Sequence, residues 1–488
     1  MDLMIQIDRA SQVSMVEQVV LGIRGAIEDG TLQPGQRLPS TREFARQLGL
    51  TRFTVDDAYS RLVGEGYLDA RPGSGTYVAQ LVRLTRPVGV TPGSEAPPER
   101  RLSRWANRLP DVIDPNWTRR PCEFTFTSGM PALDRLPLAT WRRLIARETR
   151  DESVRAYTYG PTAGHAALRE AIAAYVARSR GVTCTPDQVI VTSGAQQSID
   201  LVMRMVLDER STVVLEDPCY RSLRTIAGLT GATILPLPVD GNGLMVERLP
   251  PPSPDLRLAC ITPSHQYPTG AILPLSRRLE LLHWAQEAGV LILEDDYDGE
   301  LRYDSRPVPA LAALASEGNG LHSVIYVGSF SKVLFPSIRL GYLVVPPDLT
   351  GPLVRAKAAV ERQAPTLSQA AVAAFIAEGH FERHLVKMRR LYSARHDALL
   401  EAMDTHLVGI AYRDKSMRSA GLHVLARFDV EMTVDELVAH ALAHGIALDG
   451  TGFSYSTPPA RPHIALGYTM MPEERIRAGI ARLADILR

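Results

Sequence analysis

Primary amines are scarce in this chain: four lysines, Lys332, Lys357, Lys387 and Lys415, stand among 54 Lys and Arg residues. Chemistry that needs a nucleophilic amine therefore has few candidates. Lys332 lies in VGSFSKVLFPSIRLGY, just past the apolar run SVIYVG, and Arg339 follows seven residues later. A lysine at a strand end with an arginine close behind suits an imine to a phosphorylated aldehyde. The amine forms the Schiff base, while Ser329 and Arg339 can hold the phosphate. Taken alone, S-x-x-K also serves as a serine-nucleophile motif in β-lactam enzymes, and a surface lysine needs no role at all.

Two further apolar runs end on chemistry. VLILEDDYDGE puts Asp295 at the end of its run, with Tyr297 two residues on. A carboxylate opposite a pyridinium nitrogen keeps that ring protonated, so the ring works as an electron sink. A tyrosine hydroxyl can bond the ring's phenolate oxygen. Clustered carboxylates also suit Mg²⁺ or Ca²⁺, but no second acidic cluster completes a shell for Glu294, Asp295, Asp296 and Asp298, so no metal is expected. QVIVTSGAQQSIDL reads as strand, Ser193-Gly194, then helix. Backbone N–H groups at a helix N-terminus favour a phosphate, although S-G-A-Q by itself is an ordinary turn.

These residues need strands to carry them. Continuous apolar runs at 188–192, 212–216, 232–237, 257–262, 290–295, 323–328 and 340–345 alternate with helical patterns. Such runs suit strands buried on both faces, so an α/β domain with a mostly parallel sheet is expected. Residues 380–403 read as one long helix, and a smaller α+β subdomain is expected over about 385–488. The chain has 488 residues, 45% of them hydrophobic, with 54 basic and 54 acidic side chains. That length predicts two or three domains. The balance excludes a globally disordered chain and a wholly basic nucleic-acid coat. No window offers the ~20 apolar residues of a spanning helix, and MDLMIQIDRAS lacks the apolar core of a secretory signal. Cys122, Cys184, Cys219 and Cys260 are far apart and form no C-x-x-C pair, which points to the cytoplasm.

The first eighty residues follow another plan. Val16, Val19, Val20, Ile23 and Ile27 recur at helical spacing. Ser40 and Glu43 form a capping box before a short helix, Thr51 caps a third, and GYLDAR-PGSG-TYVA reads as a hairpin. This is a winged helix-turn-helix. Thr51, Arg52 and Thr54 sit on the turns that enter a major groove, with Arg42 in the preceding helix and Arg71 on the wing. Gly73 and Gly75 let the wing approach a backbone. The field is not basic, since residues 1–80 hold eight arginines and ten acids, so a protein-binding winged helix is the competing reading. Between the two regions, residues 80–122 are rich in Pro, Gly and Arg and read as a linker.

LPSTREFARQLGLTRFTVDDAYSRLVGEGYLDARPGSGTYV resembles the DNA-binding domain of the GntR family of bacterial repressors. The likeness spans nearly all of residues 12–79 and carries over the LPS-x-R turn, the recognition-helix start and the G-S-G-T-Y-V wing. It implies DNA contacts from Arg42, Thr51, Arg52, Thr54, Gly73 and Gly75, with Arg61 and Arg71 beside them. From about residue 123 onward the chain resembles fold-type I aminotransferases. That resemblance implies pyridoxal 5′-phosphate on Lys332, Asp295 at the pyridine nitrogen and Tyr297 at the ring oxygen. Ser193, Gly194, Ala195, Ser329 and Arg339 would hold the phosphate, and Tyr220 would stack on the ring. Tyr159 would reach the phosphate of a partner subunit, and Arg461 in ARPHIALGY would grip a substrate carboxylate.

One departure matters. Aminotransferases have N-P-T-G where this chain has Tyr267-Pro268-Thr269-Gly270, so the asparagine that bonds the ring oxygen is missing. TPSHQYPTG is similar to the wording of MocR-type regulators, the GntR subfamily that fuses a winged helix to an aminotransferase-like domain. The resemblance implies a winged helix over 1–79, a linker over 80–122 and an effector domain over 123–488. It further implies a cytoplasmic, nucleoid-associated homodimer, with no membrane partner, that binds promoter DNA. Such a regulator senses pyridoxal phosphate and an amine or amino acid through an aldimine at Lys332. The family's dimer is head-to-tail, and a flexible linker of about forty residues averages ~35 Å end to end. The rival reading is a working aminotransferase with an accessory DNA-binding domain; turnover of an amino acid with an oxo acid separates the two.

Overall fold

The computed structural model describes residues 5–80, 101–109, 122–150, 158–303, 309–317, 323–414 and 420–488. It divides into two compact units, Met1–Arg100 and Arg101–Arg488.

The first unit holds helices α1 (Met15–Glu28), α2 (Thr41–Leu48) and α3 (Arg52–Gly64), then the hairpin β1 (Leu68–Arg71) and β2 (Gly75–Val78). Each helix starts on a hydroxyl: Ser14, Ser40 and Thr51 accept the N–H groups of Glu17, Glu43 and Thr54. These caps satisfy donors that a helix start leaves open. Gly49, at φ 63°, ends α2 in the left-handed conformation that glycine adopts without strain. Val19, Val20, Ile23, Phe44, Val55, Ala58, Leu62, Leu68 and Val78 close the core.

The second unit begins with α4 (Arg104–Asn107), β3 (Phe124–Phe126), α5 (Leu138–Glu148) and α6 (Ala166–Arg180). Strands and helices then alternate: β4 (Val189–Thr192), α7 (Ala195–Val206), β5 (Thr212–Asp217), α8 (Arg221–Thr230), β6 (Thr233–Asp240) and β7 (Gly243–Leu244). Next come β8 (Leu256–Ile261), α9 (Leu275–Ala288), β9 (Leu291–Asp296), α10 (Leu311–Glu317), β10 (Val324–Ser329) and β11 (Gly341–Val344). Helices α11 (Pro347–Val360), α12 (Thr366–Ala377) and α13 (His380–His406) lead to the C-terminal part. That part holds β12 (Ala411–Tyr412), β13 (His423–Phe428), α14 (Val434–Ala443), β14 (Ile446–Leu448), β15 (His463–Gly467) and α15 (Glu473–Leu487).

All seven expected runs are strands of one eight-stranded sheet, ordered β4-β11-β10-β9-β8-β5-β6-β7. The pairs from β10 through β9, β8 and β5 to β6 are parallel, while β11 runs antiparallel to both its neighbours. Side chains alternate between faces along a strand. Val189, Val191, Val214, Ile292 and Tyr326 enter one core, and Ile190, Val213, Leu215, Leu293 and Val327 enter the other. Covering both faces explains why these strands read as unbroken apolar runs.

The C-terminal part is α+β, with a sheet ordered β12-β13-β15. Strand β3 pairs in parallel with β14, Phe124 opposite Ile446, so residues near 124 belong structurally to this end of the chain. Of the expected linker, residues 81–100 and 110–121 lie outside the described residues. Residues 101–109 are docked on their own unit rather than free: Arg104 and Arg108 pair with Glu209, and Arg204 lies 5.7 Å over the Trp105 ring.

Candidate functional site

The carboxyl ends of parallel strands leave a crevice where ligands bind in open α/β sheets. Here that edge collects most of the residues singled out above. Register places Val327 opposite Asp295, Ser329 opposite Gly341, and Gly341 opposite Thr192. The ends of β4, β9 and β10 and the start of β11 thus lie side by side. They carry Ser193-Gly194, Asp295-Tyr297, Ser329-Lys332 and Arg339. The end of β5 adds Tyr220, and the end of β8 adds the loop 262–270.

Lys332 donates from Nζ to the carbonyl of Gly129 at 2.7 Å. Residue 129 has φ 74°, which glycine adopts without strain, and a Cβ there would lie 2.8 Å from that nitrogen and push the amine aside. Asp295 is 5% exposed, and its Oδ1 has no hydrogen-bond partner among the described residues. Burial and neighbouring Asp296 push its carboxyl up to about 7, against the pull of the Lys332 charge. Asp296 is committed to another task. Its Oδ2 accepts from Arg180 Nε and from the Tyr326 hydroxyl, both at 2.6 Å. Arg180 also donates to Ser264 at 2.7 Å, which ties the end of β9 to the loop after β8. Glu294 accepts the N–H groups of Leu311 and Ala312. The acidic run therefore splits among separate partners and does not converge on one point. Among the described residues no cluster has the makings of a metal site.

Beside Asp295 stands a set of rings. Tyr297 Oη lies 2.9 Å from His265 Nδ1, and Asp298 Oδ2 lies 3.0 Å from the same nitrogen. Tyr267 packs edge-on against Tyr220 at 5.9 Å and Tyr297 at 6.1 Å. Burial pushes its hydroxyl up to about 12. A tyrosine packed among rings thus stands at the sequence position of the missing asparagine.

At the β4 end, Ser193 donates its hydroxyl to the Glu361 carboxylate, which also pairs with Lys357 at 3.0 Å. Gly194 (φ 104°) precedes α7, whose first residue is Ala195, and Arg339 reaches over it: a Cβ on Gly194 would lie 3.5 Å from the guanidinium carbon. Tyr159 is 76% exposed and carries the Arg362 guanidinium 4.4 Å over its ring. Two expected residues thus stand apart from the cluster. Tyr159 faces outward, and Arg461 gives its guanidinium to Asp429 at 3.3 Å and to the Val430 carbonyl at 2.8 Å. Glu361 had no signal in the sequence. His265 had one, since it sits inside the motif TPSHQYPTG.

On the small unit, Arg42 and Arg52 are exposed and, among the described residues, have no partner. The hydroxyls of Thr51 and Thr54 bond each other at 2.8 Å and hold the start of α3. Phe53 is 82% exposed on that same turn, a large apolar side chain that sequence reading passed over. Arg61 is taken by Glu17 and Glu65. Arg71 lies 4.6 Å over the Tyr77 ring on the wing, where Gly73 and Gly75 have φ 73° and 117°.

Residues 15–78 match the family of bacterial regulatory proteins called gntR, and residues 124–462 match the aminotransferase class I and II family. The chain is 36% identical to the probable rhizopine catabolism regulatory protein MocR of Rhizobium meliloti, over 98% of this chain and 95% of that protein. It is 31% identical to the pyridoxine biosynthesis transcriptional regulator PdxR of Corynebacterium glutamicum, over 99% and 98%. Among solved structures, LysN of Thermus thermophilus, an α-aminoadipate aminotransferase complexed with N-(5′-phosphopyridoxyl)-L-leucine, superposes with a TM-score of 0.71 at 30% identity. That match covers 79% of this chain and 97% of LysN. With a gntR-type helix-turn-helix joined to an aminotransferase-type domain, and regulators matched over nearly its whole length, the chain belongs to the MocR-type subfamily of GntR transcriptional regulators.

Proposed function

We propose that this regulator holds pyridoxal 5′-phosphate at Lys332 and passes the state of that site, set by an amine or amino-acid effector, to promoter binding by the winged helix. Asp295 carries the reading. A buried carboxylate oxygen without a partner costs about 1–3 kcal/mol, and here one stands at the strand end beside the site's lysine. A protonated pyridine nitrogen is the partner it lacks. When bound, the cofactor supplies an aldehyde that exchanges amines and a ring that draws electrons from them.

The chain's own residues divide the work. Gly129 holds the Lys332 amine in place, Asp295 keeps the proton on the ring nitrogen, and Tyr297 presents a hydroxyl to the ring oxygen. Ser193, the backbone of Gly194 and Ala195, Ser329 and Arg339 take the phosphate, for which Ser193 exchanges Glu361. Tyr220 covers a ring face. In a homodimer, exposed Tyr159 serves the second protomer's phosphate. Arg461, half exposed beside Asp429, offers its guanidinium to an effector carboxylate. With Tyr267 in place of asparagine, regulation rather than efficient transamination is the expected output.

Residues 1–79 form the DNA reader, 80–122 the linker and 123–488 the sensor, working in the cytoplasm where the promoter is. Arg52, Arg42, Thr51, Thr54 and the wing glycines meet the duplex, and Phe53 adds apolar contact of the kind that a thymine methyl accepts. An effector shifts promoter affinity only as far as it binds two arrangements of the protein unequally. The test is borohydride reduction of the protein incubated with pyridoxal phosphate, followed by peptide mapping. Label on the Lys332 peptide supports the reading. Label on Lys357, Lys387 or Lys415, or none, overturns it.

A further inference from the structure

Tyr297, the residue read above as the donor to the ring oxygen, is itself bonded to a second pair of side chains. His265 Nδ1 lies 2.9 Å from Tyr297 Oη, and 3.0 and 3.2 Å from the two oxygens of Asp298. His265 is 5% exposed and Asp298 1%. The imidazole is closely confined. Gly421 (φ 76°) runs its backbone against it, and a Cβ there would collide with the His265 ring and with Asp298. His423, the neighbouring imidazole at 5.6 Å between centroids, is turned away, with Nε2 at 3.0 Å from the Pro268 carbonyl. Tyr297, Asp298 and His423 face His265 directly, and His396, Arg413, Asp414 and Arg427 line the same cavity with it.

A single nitrogen cannot donate to one neighbour and accept from the other. If the proton were on Nε2 alone, the Nδ1 lone pair would face the Asp298 carboxylate at 3.0 Å, lone pair against lone pair. The arrangement favours a hydrogen on Nδ1, as in the neutral Nδ1–H tautomer or the imidazolium. Nδ1–H then points between Asp298 and Tyr297 Oη, so the tyrosine oxygen is an acceptor on that side. Its own hydrogen then turns to an acceptor other than His265.

We propose that His265 and Asp298 are positioning residues: Asp298 fixes the Nδ1–H form of His265, and that N–H turns the Tyr297 hydroxyl outward as an obligate donor to the ligand. The inference rests on reading the Lys332–Asp295 crevice as a pyridoxal phosphate site. With tyrosine in place of asparagine at 267, Tyr297 is the donor read for the ring oxygen, and this pair sets its direction. Burial and the nearby His265 push His423 down to about 3, so it stays neutral and does not compete for Asp298.

The test has two arms. In the first, the cofactor-free full-length protein is labelled with ¹⁵N-histidine, and the His265 signal is assigned as the one lost in His265→Asn. A protonated Nδ1 is expected, and Asp298→Asn should convert much of the signal to the Nε2–H form. A wild-type His265 protonated on Nε2 alone overturns the proposal, whatever the site binds. In the second, the visible band of the pyridoxal phosphate-loaded protein is titrated with pH. Losing the donor makes the ring oxygen more basic, so in His265→Leu the protonated form should persist to a pH higher by about one unit, a tenfold change. His265→Asn, which keeps an N–H near the Nδ1 position, should recover most of the shift; a merely structural role would not be rescued in this way. An unchanged midpoint in His265→Leu overturns the proposal while leaving the cofactor site intact. If the wild type forms no such band, the cofactor reading has failed and the tautomer alone decides.

Discussion

The two units keep their working residues in opposite physical states. On α2 and α3, Arg42, Arg52 and Phe53 stand in water, and the caps that shape the helices are local. At the sheet edge, Asp295, Asp296, Asp298 and Glu294 are all at most 5% exposed and come from one short run at the end of β9. An exposed residue keeps its solution chemistry and waits for a partner. A buried one takes its chemistry from neighbours that arrive from far along the chain, as Arg180 does for Asp296. Substitutions in the first region should therefore change binding and leave the fold alone. Those in the second should change fold, protonation and ligand binding together.

The sharpest break in that contrast is Arg180→Met. Arg180 and Asp296 pair at 2.6 Å, each with a side chain 1% exposed. Removing one partner of a buried pair strands the other charge, at a cost of about 3–5 kcal/mol. The large unit should unfold at clearly lower urea, and adding Asp296→Asn should recover part of the loss, because the carboxylate bonded to Arg180 is then neutral while buried Glu300 still lacks its cation. If the single variant is as stable as the wild type, the pair is not what holds the β9 end.

Asp295→Asn should separate the empty site from the filled one. The folded carboxyl is raised from 3.8 to about 7, burial being the main cause. Between those values the folded state binds the extra proton, so stability falls as pH rises from about 4 through about 7. A neutral asparagine carries no such penalty. The cofactor-free variant should be more stable than wild type at pH 8, on the order of 2–4 kcal/mol, with the difference gone by about pH 4. With pyridoxal phosphate the order should reverse: affinity drops, because the charged partner of the ring nitrogen is lost. Paired urea melts at both pH values, with and without the cofactor, check both halves. A variant less stable than wild type at pH 8 without ligand would show that Asp295 is already satisfied.

Much of this was legible locally. The seven strands show as apolar runs because both sheet faces are covered, and Asp295 and Lys332 show because one ends a run and the other closely follows one. The caps at Ser40 and Thr51 are three-residue patterns. What escaped is what arrives from a distance. The bond from Ser193 to Glu361 spans 168 residues, and that between His265 and Asp298 spans 33. Strand β3 pairs with β14 across more than three hundred residues, a link no local period records. Arg461 is a further case: its motif pointed to a grip on a substrate carboxylate, and its half-exposed guanidinium here pairs with Asp429, a carboxylate of the chain itself.

Arg52 gives the smallest and most selective effect, and it tests the exposed half of the contrast. The side chain stands on the first residue of α3, in water, and Thr51 and Thr54 secure that turn without it. Arg52→Ala should thus leave the melting of the small unit within about 0.5 kcal/mol of wild type. Its cost should appear on DNA. A guanidinium that bonds a base edge discriminates by about 1–3 kcal/mol, so operator affinity should fall roughly 5- to 150-fold while affinity for random duplex barely moves. A phosphate contact would weaken both by the same factor and lower the salt slope by about one. Residues 1–80 carry more acid than base, so random duplex should bind weakly from the start. Base contacts must then supply a larger share of specific affinity than they do in a strongly basic reader. Footprints and binding isotherms of the two proteins on one promoter, repeated at two salt concentrations, distinguish these outcomes. Equal loss on both duplexes would move sequence reading away from Arg52, to Arg42, Phe53 or the wing.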